Sequence, residues 1–175
     1  MADRRLTGVL LVGGRSRRFG SPKALAELHG ETLADRAWRL LEEACDERFA
    51  VGRPPGLPFA TLPDAAIGGG PLAGIVAGLR AAAHDVAVVI PVDMPLLTVA
   101  ALHALAAACR QAAVPQSGPL PAAYAKTALP VLEDALARGD LALRHVVARL
   151  DAAVVTLADE VLANVNEPAD LDRIA

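Results

Sequence analysis

The run Val86-Ala87-Val88-Val89-Ile90-Pro91 is apolar at every position. A strand with one wet face alternates apolar and polar residues, whereas a strand covered on both faces does not. This run therefore predicts a strand in the middle of a sheet with helices above and below. Leu6–Val12 reads the same way and stops on Gly13 and Gly14. Longer segments with helical spacing separate such runs. In Thr32–Cys45, Thr32 can cap a helix, Asp35 suits its first turn, and Leu33, Ala37, Leu40, Leu41 and Ala44 share a face. Pro71–Ala83 begins with a proline where a helix tolerates one. Further helices are predicted over Thr98–Arg110, Ala128–Arg138 (ending at Gly139), Leu141–Leu150 and Pro168–Ile174. Short strands are predicted at Arg48–Val51, Thr61-Leu62, Ala112–Val114, Ala122–Tyr124 and Val154–Leu157. Strands alternating with helices indicate the α/β class with a buried, mostly parallel sheet.

The chain has 175 residues, the size of a single domain spanning 1–175. Hydrophobic residues reach 54%, a figure inflated by alanine, and no apolar run approaches the roughly 18–20 residues needed to span a bilayer. A basic pair, Arg4-Arg5, precedes Leu6–Val12 as in a signal peptide, but a buried strand explains that short run better. A net charge of −3 implies no general affinity for polyanions, and 3% aromatics give no stacking surface for single-stranded nucleic acid. Neither a nucleic-acid nor a membrane partner is expected. Cys45 and Cys109 stand in unrelated contexts, which fits neither a disulfide framework nor a metal motif and points to a reducing cytoplasm. The four histidines are scattered and read as surface or packing residues.

The segment Leu10-Leu11-Val12-Gly13-Gly14-Arg15-Ser16-Arg17-Arg18-Phe19-Gly20-Ser21-Pro22-Lys23 carries the chemistry. A strand running into two glycines can turn with successive N–H groups outward, and such amides bind anions. Arg15, Arg17, Arg18 and Lys23 then crowd four cations into nine residues. Their mutual repulsion is relieved by a polyanion such as a triphosphate. The segment matches neither GxxxxGK[ST] nor GxGxxG. Taken alone, a Gly-Gly turn with solvated arginines remains an open reading.

The string LLVGGRSRRFGSPKALAELHGETL resembles the N-terminal signature of the molybdenum cofactor guanylyltransferases, the MobA family, with Val12 for the usual Ala and Phe19 for the usual Met. Later segments resemble the same family in order. Asp64 with Gly68-Gly69-Gly70-Pro71-Leu72-Ala73-Gly74-Ile75 matches its D…GPLAGI segment. Pro91-Val92-Asp93-Met94-Pro95-Leu96-Leu97 matches its P-x-D-x-P-x-L signature. Asn164-Val165-Asn166-Glu167-Pro168-Ala169-Asp170-Leu171 resembles its closing N-x-N-T-P-E-D-L, with Glu167 in the place of the capping Thr. The looser match Leu120-Pro121-Ala122-Ala123-Tyr124 falls where the family's acceptor site lies. After the strand ending at Val51, many relatives carry an Asn that touches the nucleotide, whereas here Gly52-Arg53 follows.

The resemblance implies a three-layer Rossmann-like nucleotidyltransferase fold. It implies that Leu11, Val12, Gly13, Gly14 and Lys23 hold GTP, joined by Asp64 and Asp93, with Arg15 and Arg18 beside the phosphates. Arg17 is either a further phosphate neighbour or solvated. Lys23, Asp93, Arg15 and Arg18 are the catalytic candidates, and Asp93 and Asn166 are the candidate ligands of Mg²⁺, which favours one or two carboxylates together with phosphate oxygens. Gly74 and Gly78 also have a simpler reading, close packing of a helix on the sheet. The implied reaction joins GMP from GTP to the phosphate of molybdenum-molybdopterin with loss of pyrophosphate. Molybdoenzyme chaperones are further candidate partners, and a monomer is the default. A cytidylyltransferase of the same acceptor is the nearest rival; those relatives tend to read L-A-A-G, and Gly13 favours GTP. A nucleotidyltransferase acting on a sugar phosphate and a non-catalytic GTP-binding maturation factor are more distant rivals.

Overall fold

The computed structural model describes residues 5–13, 22–53 and 56–174. In chain order the elements are β1 (Leu6–Leu11), β2 (Glu27–Leu28), β3 (Glu31–Thr32), α1 (Leu33–Ala44), β4 (Glu47–Val51), β5 (Thr61–Leu62), α2 (Gly70–Ala81) and β6 (Val86–Pro91). They continue with α3 (Val99–Ala108), β7 (Ala112–Pro115), β8 (Ala122–Ala125), α4 (Leu129–Arg138), α5 (Leu143–Val147), β9 (Ala152–Val155) and α6 (Pro168–Ile174). Among the described residues, β5-β4-β1-β6-β8-β7-β9 form one seven-stranded sheet. All neighbouring pairs are parallel except those made by β8, which runs against both β6 and β7.

The two runs predicted to be central sit together there, with Leu10 opposite Ile90 and Val9 opposite Val89. Their side chains alternate between two cores. Leu10, Val88 and Ile90 pack with Leu33, Leu41, Leu102 and Leu105 of α1 and α3. Val9, Leu11 and Val89 pack with Ile75, Val76, Leu132 and Val146 of α2, α4 and α5. Helices therefore cover both faces, as the lack of alternation requires.

Contact between helix and sheet is close where glycine permits it. A Cβ on Gly78 would lie 2.6 Å from Val9 Cγ1, and one on Gly74 would lie 2.6 Å from Leu11 Cδ2. These two residues thus serve the packing of α2 on β1. Helix α1 starts as its sequence indicates: Thr32 Oγ1 accepts from Asp35 N–H at 3.0 Å.

Three local features differ from expectation. The segment after Lys23 contains a small hairpin, β2–β3, whose two-residue turn places His29 at φ 54° and Gly30 at φ 77°. The helix expected over Leu141–Leu150 is shorter because Arg149 and Leu150 donate to Val146 and Val147 in a tighter turn, both at 3.0 Å. The last strand begins at Ala152 instead of Val154, because pairing with β7 sets its place (Ala112 opposite Ala152, Pro115 opposite Val155).

Chain order explains where ligands should bind. From β1 the chain moves outward through α1 to β4, and from β6 it moves the other way through α3 towards β7. The carboxyl ends of β1 and β6 flank this reversal, and open α/β sheets bind ligands in the crevice that such a reversal leaves.

Candidate active site

Leu11 O accepts from Val92 N–H at 3.1 Å, and Val12 N–H donates to Val51 O at 3.0 Å. The chain leaving β1 is therefore held between the ends of β4 and β6. Gly13 is the last described residue of the glycine-basic loop. Gly14, Arg15, Arg17 and Arg18 lie outside the described residues.

Lys23 follows that loop, in a single 3₁₀ turn, Lys23–Leu25. Its Nζ meets Asp93 Oδ2 at 3.0 Å, across 70 positions of sequence. The two side chains are only 15% and 23% exposed. Asp93 stands at the end of the buried strand β6 and does not cap α3. That task falls to Thr98, whose Oγ1 accepts from Ala101 N–H at 3.2 Å.

The closing segment comes to the same place. Val165 N–H donates to Asp93 O at 2.8 Å, so Asn166 is the next residue beyond a bond to Asp93. Asn166 and Glu167 N–H groups both donate to Asp170 Oδ2, at 2.8 and 3.0 Å. Asp170 thus supplies the reciprocal half of a capping box, reaching back from the first turn to the amides that precede the helix. It belongs to the C-terminal motif, yet the motif does not disclose this role. The signal in the sequence is an acidic residue in the first turn after a proline, where a carboxylate can satisfy the helix's free N–H groups.

Asp64 lies on the other flank. A methyl group on Gly13 would stand 3.8 Å from Asp64 Oδ2, and one on Gly74 would stand 3.4 Å from its Oδ1. Asp64 is exposed as a residue, but its carboxylate lies against the β1 turn and α2, and this partial desolvation raises its pKa above the ordinary value. Gly52, at the end of β4, crosses still closer. A Cβ there would be 2.6 Å from Gly13 N and 2.9 Å from Gly13 Cα, and its φ is 122°. Gly52 thus has no room for a side chain, and Arg53 after it is exposed.

The structure accordingly brings Leu11, Val12, Gly13, Lys23, Asp64, Asp93 and Asn166 to one edge of the sheet. It does not give Tyr124 a ligand-binding place. That ring is fully buried, and its hydroxyl points to Pro119 O at 3.5 Å. The tyrosine of the looser acceptor-site match is a core residue.

The profile of the MobA-like NTP transferase domain matches residues 8–170. The chain belongs to this family. A protein of Opitutus terrae named "Probable molybdenum cofactor guanylyltransferase" is 40% identical over 96% of this chain and 94% of its own length. A protein of the same name from Deinococcus radiodurans is 39% identical over 97% of this chain and 94% of its own. The crystal structure of molybdopterin-guanine dinucleotide biosynthesis protein A from Archaeoglobus fulgidus superposes with a TM-score of 0.82 at 26% identity, covering 95% of both chains. The three-layer α/β architecture with one reversed strand in a mostly parallel sheet is that of the nucleotidyltransferases.

The family generally uses a divalent metal. Among the described residues no group of three or more His, Cys, Asp and Glu side chains is disposed to hold one. A hard cation here would take Asp93 and complete its shell with phosphate oxygens and water, which is how Mg²⁺ commonly sits in nucleotide sites. A carboxylate at a strand end fits that donor set.

Proposed function

We propose that this chain transfers GMP from GTP to the phosphate of molybdenum-molybdopterin, releasing pyrophosphate and forming the guanine dinucleotide cofactor in the cytoplasm. The observation that carries the reading is the meeting of Lys23 and Asp93 at the carboxyl end of β6, next to β1, where the strand order reverses. The relatives' names supply the nucleotide and the acceptor.

The chemistry needs little covalent help. An acceptor phosphate oxygen attacks the α-phosphorus, and the bond from that phosphorus to the oxygen bridging it to the β-phosphate breaks. The acceptor is already ionised at neutral pH, so no general base is called for. The barrier lies in bringing anions together, and positioning with charge neutralisation lowers it. The turn after β1 would receive the phosphates, and Lys23 would offset charge that builds on pyrophosphate. Asp93, with Asn166 next to it in the closing turn, would hold Mg²⁺, which would neutralise phosphate charge. Lys23 and Asp93 neutralise each other until substrate arrives. A partly exposed pair of this kind is worth at most about 1 kcal/mol, so opening it is a small cost beside the contacts it gives way to.

Gly13 also bears on the choice of base. Among the described residues, a methyl group there would make only ordinary contacts, 3.7 Å to Gly52 Cα and 3.8 Å to Asp64. None of the described neighbours demands glycine at this position, so the space it spares is available to a ligand. Pyrophosphate release should be measured with GTP, CTP and ATP, each with Mg²⁺ and molybdenum-molybdopterin. GTP should lead by tenfold or more. Tight GTP binding with no release from any nucleotide would favour a binding factor instead.

Asp64 gives a second prediction with a definite sign. Its folded-state pKa is raised by burial, so ionised Asp64 costs the ligand-free fold some stability at neutral pH. That cost disappears as pH falls through the folded value and then the unfolded one. Asp64→Asn should therefore leave the ligand-free melting temperature at pH 7 unchanged or slightly higher. GTP affinity should fall roughly 10–100-fold, the loss expected when a hydrogen bond to a charged group is removed. Titration calorimetry and thermal melts check both halves. A variant that loses stability but binds GTP normally would show the carboxylate to be structural.

A further inference from the structure

Asn166 stands on an exposed turn, and something must hold that turn if its side chain is to serve the site. One end is fixed by Val165, which is 1% exposed and whose N–H bonds Asp93 O. At the other end the backbone supplies a bond from Asp170 N–H to Glu167 O at 3.0 Å. Pro168 has no N–H to give, and α6 contributes no buried residue. The turn's own amides meet one carboxylate. Asp170 Oδ2 accepts from both Asn166 and Glu167 N–H groups, while its Oδ1 accepts from Arg173 Nη1 at 3.0 Å.

We propose that Asp170 is a positioning residue for the transfer reaction: its carboxylate clamps the turn that holds Asn166 beside Asp93. This rests on the guanylyltransferase reading and adds a residue to it. The bonds from Asn166 and Glu167, followed by the charges of Arg173 and Lys23, keep the Asp170 carboxyl below its usual range. It is thus ionised at working pH and feels the same lysine that Asp93 binds. A plain helix cap would serve mainly the fold. Helix α6 buries no residue fully and rests Leu171 and Ile174 against the core, whereas the Asp170 carboxylate bonds the two amides ahead of the helix, so the clamp acts on the turn and, through it, on the site.

Two variants, Asp170→Ala and Asp170→Asn, test this, with three readouts: hydrogen exchange at the Asn166 and Glu167 amides, the Kd for GTP, and kcat. In Asp170→Ala both amides should exchange faster while β1 and β6 keep their protection. The Kd should stay within about threefold of the parent, because the nucleotide contacts from β1 and Asp64 are untouched, and kcat should fall at least tenfold. Asp170→Asn keeps an acceptor oxygen and should recover most of kcat. Faster exchange with unchanged kcat in Asp170→Ala would overturn the positioning role, and so would an Asp170→Asn enzyme as slow as the alanine variant. A parent protein with protected amides but no transfer from any nucleotide would instead overturn the functional reading, and Asp170's part in turnover with it.

Discussion

Replacing Asp93 by alanine should lower turnover by a factor on the order of 10²–10³, the range seen when a principal electrostatic group is removed from an active site. The fold should survive the change. Asp93 is at a strand end, its side chain 23% exposed, and its structural bond to Val165 uses the backbone carbonyl, which alanine retains. The lost ion pair with Lys23 is worth at most about 1 kcal/mol, a few degrees of melting temperature for a chain of this size. Asp93→Asn separates charge from shape. It can still accept a hydrogen bond from Lys23, yet it brings no negative charge to a metal, so its turnover should resemble that of the alanine variant. Steady-state kinetics with GTP across a Mg²⁺ titration reads the effect. Near-parental turnover in either variant, at any Mg²⁺ concentration, would remove Asp93 from its assigned role.

The sequence was legible where local chemistry and global fold agree. The runs Leu6–Val12, apolar but for Thr7 and Gly8, and Val86–Pro91 belong at the centre of a covered sheet, and they pair with each other there. Gly74 and Gly78 read correctly as packing residues, since Leu11 and Val9 fill the space beside them. Lys23 and Asp93 stand out separately, one in a basic loop and one at a strand end. Only the fold shows that they touch.

What stayed hidden depends on partners distant in the chain. The position of β9 is set by β7, so its own hydropathy misplaces it by two residues. Tyr124 looks like part of a ligand region because its neighbours match a motif, but a ring enclosed by helix and strand side chains has no open face. Asp170 lies inside the C-terminal motif, and its significance appears only once Val165 is seen bonded to Asp93. In each case the deciding contact is one that periodicity cannot read.

Gly52 extends the same point and yields the second large effect. Many relatives have asparagine near this position, which makes Gly52→Asn look like a restoration of a nucleotide contact. The geometry predicts the opposite. Asparagine tolerates positive φ near the left-handed helical value of about 57°, whereas Gly52 sits at 122°. Holding a non-glycine residue in such a region costs about 1–3 kcal/mol. The Cβ would also press to 2.6 Å from Gly13 N, a backbone atom that cannot swing aside as a side-chain tip can. Together these effects should destabilise the protein by roughly 2–4 kcal/mol, lowering the melting temperature by roughly 5–15 °C. The strain falls on Gly13, so GTP affinity should drop more than tenfold as the β1 turn moves. Gly52→Ala isolates the cause. The clash begins at Cβ, so alanine should do nearly as much harm as asparagine, and thermal melts with GTP titrations compare them. An alanine variant with parental stability and affinity would mean that the β4 end and the β1 turn slide apart freely, and the close crossing would then have no part in shaping the nucleotide cradle.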